Sequence, residues 1–156
     1  MKIIDNLLEY EQVESIEKEL TSDTFPWFYQ KTVANKQDIE NYYFTHILYM
    51  EGEQSKYFNL IIPILKKIKY KKLIRVKGNL YPRTNENLEH GKHVDYDFIT
   101  KGALYYLNTN NGPTYVENKK IDSVKNRLLL FNASKQHNST TCTDKKIRLN
   151  INVNYT

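Results

Sequence analysis

The sequence predicts a mainly β chain with helices at its N-terminal end, in which the C-terminal half closes into a compact double-sheet barrel and the helices pack outside it. Three observations predict this. Apolar residues in the first third recur at helical spacing, and after Lys72 they fall into short alternating or continuous runs. Turn-rich pieces separate those runs at intervals that suit antiparallel pairing rather than strand–helix–strand units. A chain of 156 residues is the size of one domain, with 1–72 as largely helical support and 73–156 as barrel core.

Leu7, Leu8, Val13, Ile16 and Leu20 mark a first helix, and Phe58, Ile61, Ile62 and Leu65 a second over 53–70, with Pro63 set against its continuity. Residues 73–80, 103–107, 127–131 and 147–155 read as strands. The pieces 85–91, 108–113 and 118–122 read as turns. No internal repeat or low-complexity tract interrupts them.

Composition adds a constraint. The chain is 40% apolar by a count that includes 13 Tyr. Exchanging those tyrosines for the 5 Gly leaves roughly 35%, below the usual share of about 45–50%. Tyrosines must therefore supply part of the interior. No apolar run approaches the ~20 residues of a membrane span, and Met1 is not followed by a charged-then-apolar leader, so the expectation is a soluble, unexported, cytoplasmic protein with no membrane partner. The heavy use of Lys, Asn, Ile and Tyr, against 4 Arg and 3 Ala, is what AT-rich codons deliver; a viral gene would place the protein in the host cytoplasm.

One cysteine, Cys142, forms no internal disulfide and no thiolate zinc cage, so any metal must be held by His and carboxylate. The net charge of +5 concentrates in 66–77, where seven of twelve residues are Lys or Arg. Such a stretch could attract nucleic acid, but the ordinary reading is a solvated face.

The chemistry gathers around His93-Val94-Asp95. On an extended strand, residues at i and i+2 share a face, so both side chains can converge on one ion. His137 follows the apolar 127–131 run, and Arg148 lies on the last strand. Two imidazoles and a carboxylate form the facial triad of non-haem iron oxygenases, leaving open positions for a cosubstrate and O₂. A chelating dicarboxylate held at one end needs a fixed cation for the other, and a guanidinium offers the matching fork.

These residues stand in a wider pattern: Tyr81-Pro82 ahead of His93, then Tyr105-Tyr106-Leu107-Asn108, then Arg127 to Phe131, then His137 and Arg148. In this conjunction the chain resembles the Fe(II)- and 2-oxoglutarate-dependent dioxygenases, most of all their prolyl-4-hydroxylase-like branch and its compact viral and phage versions. The resemblance covers about half the chain. It implies a double-stranded β-helix, the jelly-roll barrel also described as cupin-like. It implies iron held by His93, Asp95 and His137, and 2-oxoglutarate held by Arg148, Tyr106 and Tyr81, with O₂ as cosubstrate and ascorbate as an optional addition. The implied reaction hydroxylates a C–H bond of a prolyl or other amino-acid residue, in a peptide or a small molecule, as 2-oxoglutarate is decarboxylated to succinate and CO₂.

Alternation on the last strand sends Asn150, Asn152 and Asn154 inward with Arg148, while Leu149, Ile151 and Val153 face the outer layer. Asn150 joins the expected cosubstrate contacts. The row is expected to hydrogen-bond cosubstrate, water or substrate, or else to form a ladder satisfied by backbone. Three neighbours have other assignments: His90 belongs to a polar turn, His46 packs in the N-terminal half, and Asp97 is a solvated carboxylate. The run Phe25-Pro26-Trp27-Phe28-Tyr29 is core by default, with an aromatic wall over the substrate entrance as its functional reading. Two other functions stay open. Oxidative demethylation of nucleic acid would use the basic stretch, but Asn154 stands where the repair demethylases of the superfamily usually carry a second Arg. A non-catalytic metal-binding barrel would have no use for Arg148, Tyr81 and Tyr106 beside a complete triad.

Overall fold

The computed structural model describes residues 1–34 and 42–156. In chain order the elements are β1 (Lys2–Ile4), α1 (Tyr10–Leu20), β2 (Phe28–Gln30), β3 (Tyr43–Met50), β4 (Glu53–Gln54), a 3₁₀ turn (Phe58–Ile61) and α2 (Ile62–Leu65). There follow β5 (Leu73–Pro82), β6 (Lys101–Tyr106), β7 (Asn110–Val116), β8 (Lys119–Ser123), β9 (Arg127–Asn132), β10 (His137–Ser139) and β11 (Ile147–Tyr155). The large sheet runs β1-β9-β6-β11-β5-β3-β2, with β4 paired to β3, and the small sheet runs β10-β7-β8. Every recorded pairing is antiparallel.

The N-terminal segment departs from its expected helical character. It contributes β1 to one edge of the large sheet and β3 and β2 to the other. β3 reads Tyr-Phe-Thr-His-Ile-Leu-Tyr-Met, rich in aromatic and β-branched residues, which suit a pleated sheet better than a helix. The expected helix over 53–70 is reduced to the 3₁₀ turn and one turn of α2. Pro63 lies at the start of α2, where its missing N–H costs nothing, but it cannot sit inside a longer helix. α1 matches expectation, burying Val13, Ile16 and Leu20 on one face.

Two of the expected turns are strands. Residues 108–113 enter β7, where a register shift between Asn110 and Thr114 absorbs Gly112 and Pro113. Residues 118–122 enter β8. The reversal itself is only Glu117 and Asn118, both at positive φ (49° and 66°), the conformation of a two-residue hairpin turn.

Alternation on β11 divides the molecule. Leu149, Ile151 and Val153 join Leu48, Val76, Tyr105 and Leu128 in an apolar layer that also takes Val13, Ile16 and Leu20 of α1 and Ile64 of α2. Arg148, Asn150, Asn152 and Asn154 turn to the opposite face, toward the small sheet. Tyr105 and Tyr155 lie within the apolar layer, and Tyr106 in a second cluster with Leu104, Val116, Ile121 and Phe131. Tyrosine thus serves as core. Trp27 belongs to the same apolar layer, and its indole N–H donates to the Leu20 carbonyl at 3.0 Å. Among the described residues no helix is long and apolar enough to cross a membrane.

Ile151 is completely buried at the centre of this layer, so Ile151→Ala should lower the unfolding free energy by about 2–5 kcal/mol. Ile99→Ala, at a position 85% exposed, should change it by less than about 0.5 kcal/mol. Chemical denaturation of the two variants measures the difference.

Candidate metal and cosubstrate site

The site forms where the inward face of the large sheet meets the small one. His93 and His137 make an isolated antiparallel bridge: each backbone N–H donates to the other's carbonyl at 3.0 Å. The Asp95 N–H donates to the Ala133 carbonyl at 3.0 Å. His93 and Asp95 therefore lie on an extended segment that borrows its partners from the chain around β10, outside the named strands, yet i and i+2 still converge. The donor atoms of His93, Asp95 and His137 all lie within 4.8 Å of one another. The imidazole centroids are 4.5 Å apart, and His137 Nε2 is 3.7 Å from an Asp95 oxygen.

Both rings are oriented by backbone carbonyls. Nδ1 of His93 lies 3.1 Å from the Gly91 carbonyl and Nδ1 of His137 lies 2.9 Å from that of Lys135. A carbonyl only accepts, so each ring donates from Nδ1 and turns Nε2 toward the donor group, where the neutral ring would offer a lone pair. Burial and the neighbouring His137 lower the His93 pKa, which keeps its ring neutral and available to a metal.

Asp95 is held from the large sheet. Arg75 Nη2 reaches one carboxylate oxygen at 3.1 Å, and Asn154 Nδ2 donates to the other at 2.8 Å, with Asn152 Nδ2 at 3.5 Å. Arg75 also donates to the Asn154 side-chain carbonyl from Nε (3.2 Å) and Nη2 (2.9 Å). Burial pushes the Asp95 pKa up, but His137, the Asn154 amide and Arg75 outweigh it, and the carboxylate titrates below its usual range. The asparagine row faces inward as expected, but its partners at this end are neither backbone nor ligand: they are a metal-competent carboxylate and an arginine.

Strands β5 and β11 lay out the rest. Their register sets Arg148 opposite Tyr81, Asn150 opposite Asn79, Asn152 opposite Lys77 and Asn154 opposite Arg75. A cavity is lined by members of both rows together with His93, Asp95, His137, Tyr43 and Thr114. Arg148 is fully buried, donating from Nε to the Gly112 carbonyl (2.9 Å) and from Nη2 to Thr114 Oγ1 (2.7 Å). Its guanidinium lies 5.3 Å from the Tyr81 ring centre. Nη1 has no hydrogen-bond partner, and no carboxylate pairs with this cation among the described residues. A Cβ at residue 112 would overlap the Thr141 carbonyl and crowd Arg148 Cδ, so a glycine there gives the arginine room.

Tyr81 lines the cavity, stacked between Tyr43 (5.2 Å, 11°) and His90 (5.2 Å, 24°). Tyr106 is fully buried on the same face of the sheet but is not part of the cavity wall, and its hydroxyl makes no hydrogen bond of normal geometry. Asn150 lines the cavity and accepts from Asn79 Nδ2 at 2.9 Å.

His90 is not the solvated turn residue of the sequence reading. It is buried, with Nδ1 2.8 Å from Ser139 Oγ, and burial together with Arg148 pushes its pKa down to about 3. It remains outside the metal-competent group. His46 packs among Phe25, Phe28 and Tyr57, though on a strand, and Asp97 is exposed. The basic stretch splits: Lys66, Lys67, Lys69, Lys71 and Lys72 are exposed, whereas Arg75 binds Asp95 and Lys77 lines the cavity. The roles of Arg75 and Lys77 were missed in the sequence, where both were absorbed into the charge run. The signal was the alternation of Arg75, Lys77, Asn79 and Tyr81 along 73–80 and just beyond it.

No family model and no curated protein matches the chain. Solved structures match it almost end to end. One is a prolyl hydroxylase from Trichoplax adhaerens in complex with a peptide fragment of the hypoxia inducible factor oxygen degradation domain. Its TM-score is 0.69 at 16% identity, over 99% of this chain and 82% of that one. A second is an oxidoreductase of the 2OG-Fe(II) oxygenase family from Burkholderia pseudomallei (0.70, 8%, 99% and 84%). A third is HygX from Streptomyces hygroscopicus with nickel, 2-oxoglutarate and hygromycin B bound (0.66, 12%, 98% and 81%). The chain therefore has the double-stranded β-helix fold of the Fe(II)- and 2-oxoglutarate-dependent oxygenases, prolyl hydroxylases among them. At these identities the likeness is one of fold.

Asn154→Ala and Arg75→Met remove the groups that orient Asp95 and keep it ionised. Each should weaken divalent-metal binding by about 10- to 100-fold, read by competition with a chromophoric chelator, while both proteins stay folded by circular dichroism.

Proposed function

We propose that the chain is a non-haem Fe(II)- and 2-oxoglutarate-dependent oxygenase that hydroxylates a C–H bond of a prolyl or other amino-acid substrate. The observation that carries this reading is the convergence, in one cavity, of a His-Asp-His donor set with a buried arginine that has no carboxylate partner. The donor set fits Fe(II), which the two imidazoles and one carboxylate would hold while leaving room for further ligands. A metal site alone would not need Arg148. An arginine buried without a counter-ion is costly, and a bound dicarboxylate supplies that counter-ion.

In this reading His93, Asp95 and His137 hold the metal. Arg148 takes the distal carboxylate of 2-oxoglutarate through its free Nη1, with Tyr106 beside it and Tyr81 and Asn150 along the chain of the cosubstrate. Thr114 and Gly112 fix the guanidinium. Bound iron supplies the activation of O₂, one oxygen atom going to succinate as CO₂ leaves and the other to the substrate C–H. The protein's residues position these groups and keep them dry. Ascorbate, as a reductant, belongs to the same chemistry, in a cytoplasmic setting. Proline is the favoured substrate by likeness to the prolyl-hydroxylase branch. Against the nucleic-acid alternative, the two members of the basic stretch nearest the site are engaged there: Lys77 lines the cavity and Arg75 is ion-paired with Asp95.

Anaerobic addition of Fe(II) and then 2-oxoglutarate should give the weak visible band of the chelate, and admission of O₂ should give succinate. Asp95→Ala should abolish the band; its persistence there, or its absence in wild type, would sink the assignment. Arg148→Ala should raise the 2-oxoglutarate requirement by about one to two orders of magnitude, since truncating one partner of a desolvated charge pair costs roughly 2–5 kcal/mol.

A further inference from the structure

The cavity contains a second cation that the chemistry above does not use. Lys77 lies on β5 between Arg75 and Asn79, its side chain on the cavity wall and its Cα opposite that of Asn152. Among the described residues its hydrogen-bond partner is the Tyr43 hydroxyl at 3.3 Å, and the ammonium lies 5.5 Å from the centre of that ring. It makes no ion pair among the described residues. Arg75, two residues away, is paired with Asp95; Lys77 feels that carboxylate only at longer range. Burial, with Arg75 nearby, depresses its pKa to about 8, the attraction of Asp95 offsetting only part of that shift.

The orphaned atoms beside it have the opposite character. Asn152 Oδ1 and Asn79 Oδ1 are buried without partners. The orientation of Asn152 is fixed chemically, because Asp95 can only accept and so takes the amide nitrogen at 3.5 Å, leaving the carbonyl oxygen without a partner. One unpaired cation therefore stands beside two unpaired acceptors. A ligand that satisfies both carries an anion and a donor a few atoms apart. Position separates Lys77 from Arg148: four residues of extended strand set Tyr81, opposite Arg148, about 13 Å from Lys77 along β5, and Asn152, opposite Lys77, reaches Asp95.

We propose that Lys77, with Asn152 and Asn79, binds the zwitterionic head of a free α-amino acid: the carboxylate on the Lys77 ammonium, the amino group on the asparagine carbonyl oxygens. This rests on the oxygenase reading and narrows its substrate class from any amino-acid residue to a free amino acid, whose side chain is then presented toward the metal. A peptide-bonded residue has neither end of that head group.

The test uses the full chain, loaded anaerobically with Fe(II) and 2-oxoglutarate, and follows the chelate band and the heat of binding as each of the common free L-amino acids, L-proline included, is added. At least one should bind. Its amide and its N-acetyl derivative, each lacking one half of the head group, should bind at least about 10-fold more weakly. Lys77→Met, near in volume, and Lys77→Gln, which keeps a polar tip, should each weaken that amino acid by about 10- to 100-fold while the 2-oxoglutarate titration stays within about 2-fold of wild type. Equal binding of acid and amide, unchanged binding in both variants, or no amino acid that binds to a protein showing the chelate band would overturn the proposal. So would a loss of 2-oxoglutarate affinity in the variants, which would assign Lys77 to the cosubstrate. Absence of the band in wild type would instead remove the oxygenase reading, and this proposal with it.

Discussion

The register between β5 and β11, which sets Arg148 opposite Tyr81, is the constraint on which the site depends. Side chains alternate along a strand, so a slip of one residue would carry Arg148 and the three asparagines into the apolar layer and bring Leu149, Ile151 and Val153 into the cavity. Neither exchange is tolerable: one buries a cation against Leu48 and Val76, the other removes the polar partners of Asp95. The apolar layer under α1 and the polar face toward the small sheet therefore enforce the same alignment from opposite sides. That alignment delivers three cross-strand pairs to the cavity in a fixed order and sets the fourth, Asn154 and Arg75, against Asp95.

The polar face is stabilised unevenly along its length. At the Asn154 end every charge is matched: Arg75 has Asp95, and Asp95 has Asn154 and Arg75. Toward the other end the matching lapses: among the described residues Arg148 and Lys77 make no ion pair, and the side-chain oxygens of Asn79 and Asn152 have no donor. Buried unpaired groups cost folding free energy. The large apolar layer offsets that cost, much as other folds carry polar strain at the places where they bind.

Much of the site was legible because its chemistry resides in rare residue types at tight spacing. His93, Asp95, His137 and Arg148 stand out in a chain with four His and four Arg, and the inward direction of Asn150 to Asn154 follows from strict alternation on a strand bounded by aliphatics. Legibility failed where identity underdetermines partner. Arg75 and Lys77 looked like members of a charge run because nothing local distinguishes a lysine facing a cavity from one facing water. Tyr106 was readable as inward-facing, but whether its ring reaches the cavity or packs with Leu104 and Phe131 depends on the small sheet, which its own strand does not encode. The fold was least legible in the N-terminal third. There β3 carries a bulge between Ile47 and Tyr49 that breaks the period-2 pattern, and the helical spacing of α1 extended the helical reading too far.

The mutual backbone bonds of His93 and His137 divide the donor set in two. The two imidazoles form one mechanical unit with β10 and so with the small sheet, whereas the Asp95 carboxylate is tied by Arg75 and Asn154 to the large one. The separation of the three donor groups is then a property of the gap between the sheets rather than of any one side chain's rotamer. Residues that pack within that gap, such as Phe131, whose ring lies 5.0 Å from that of His137, become determinants of that separation.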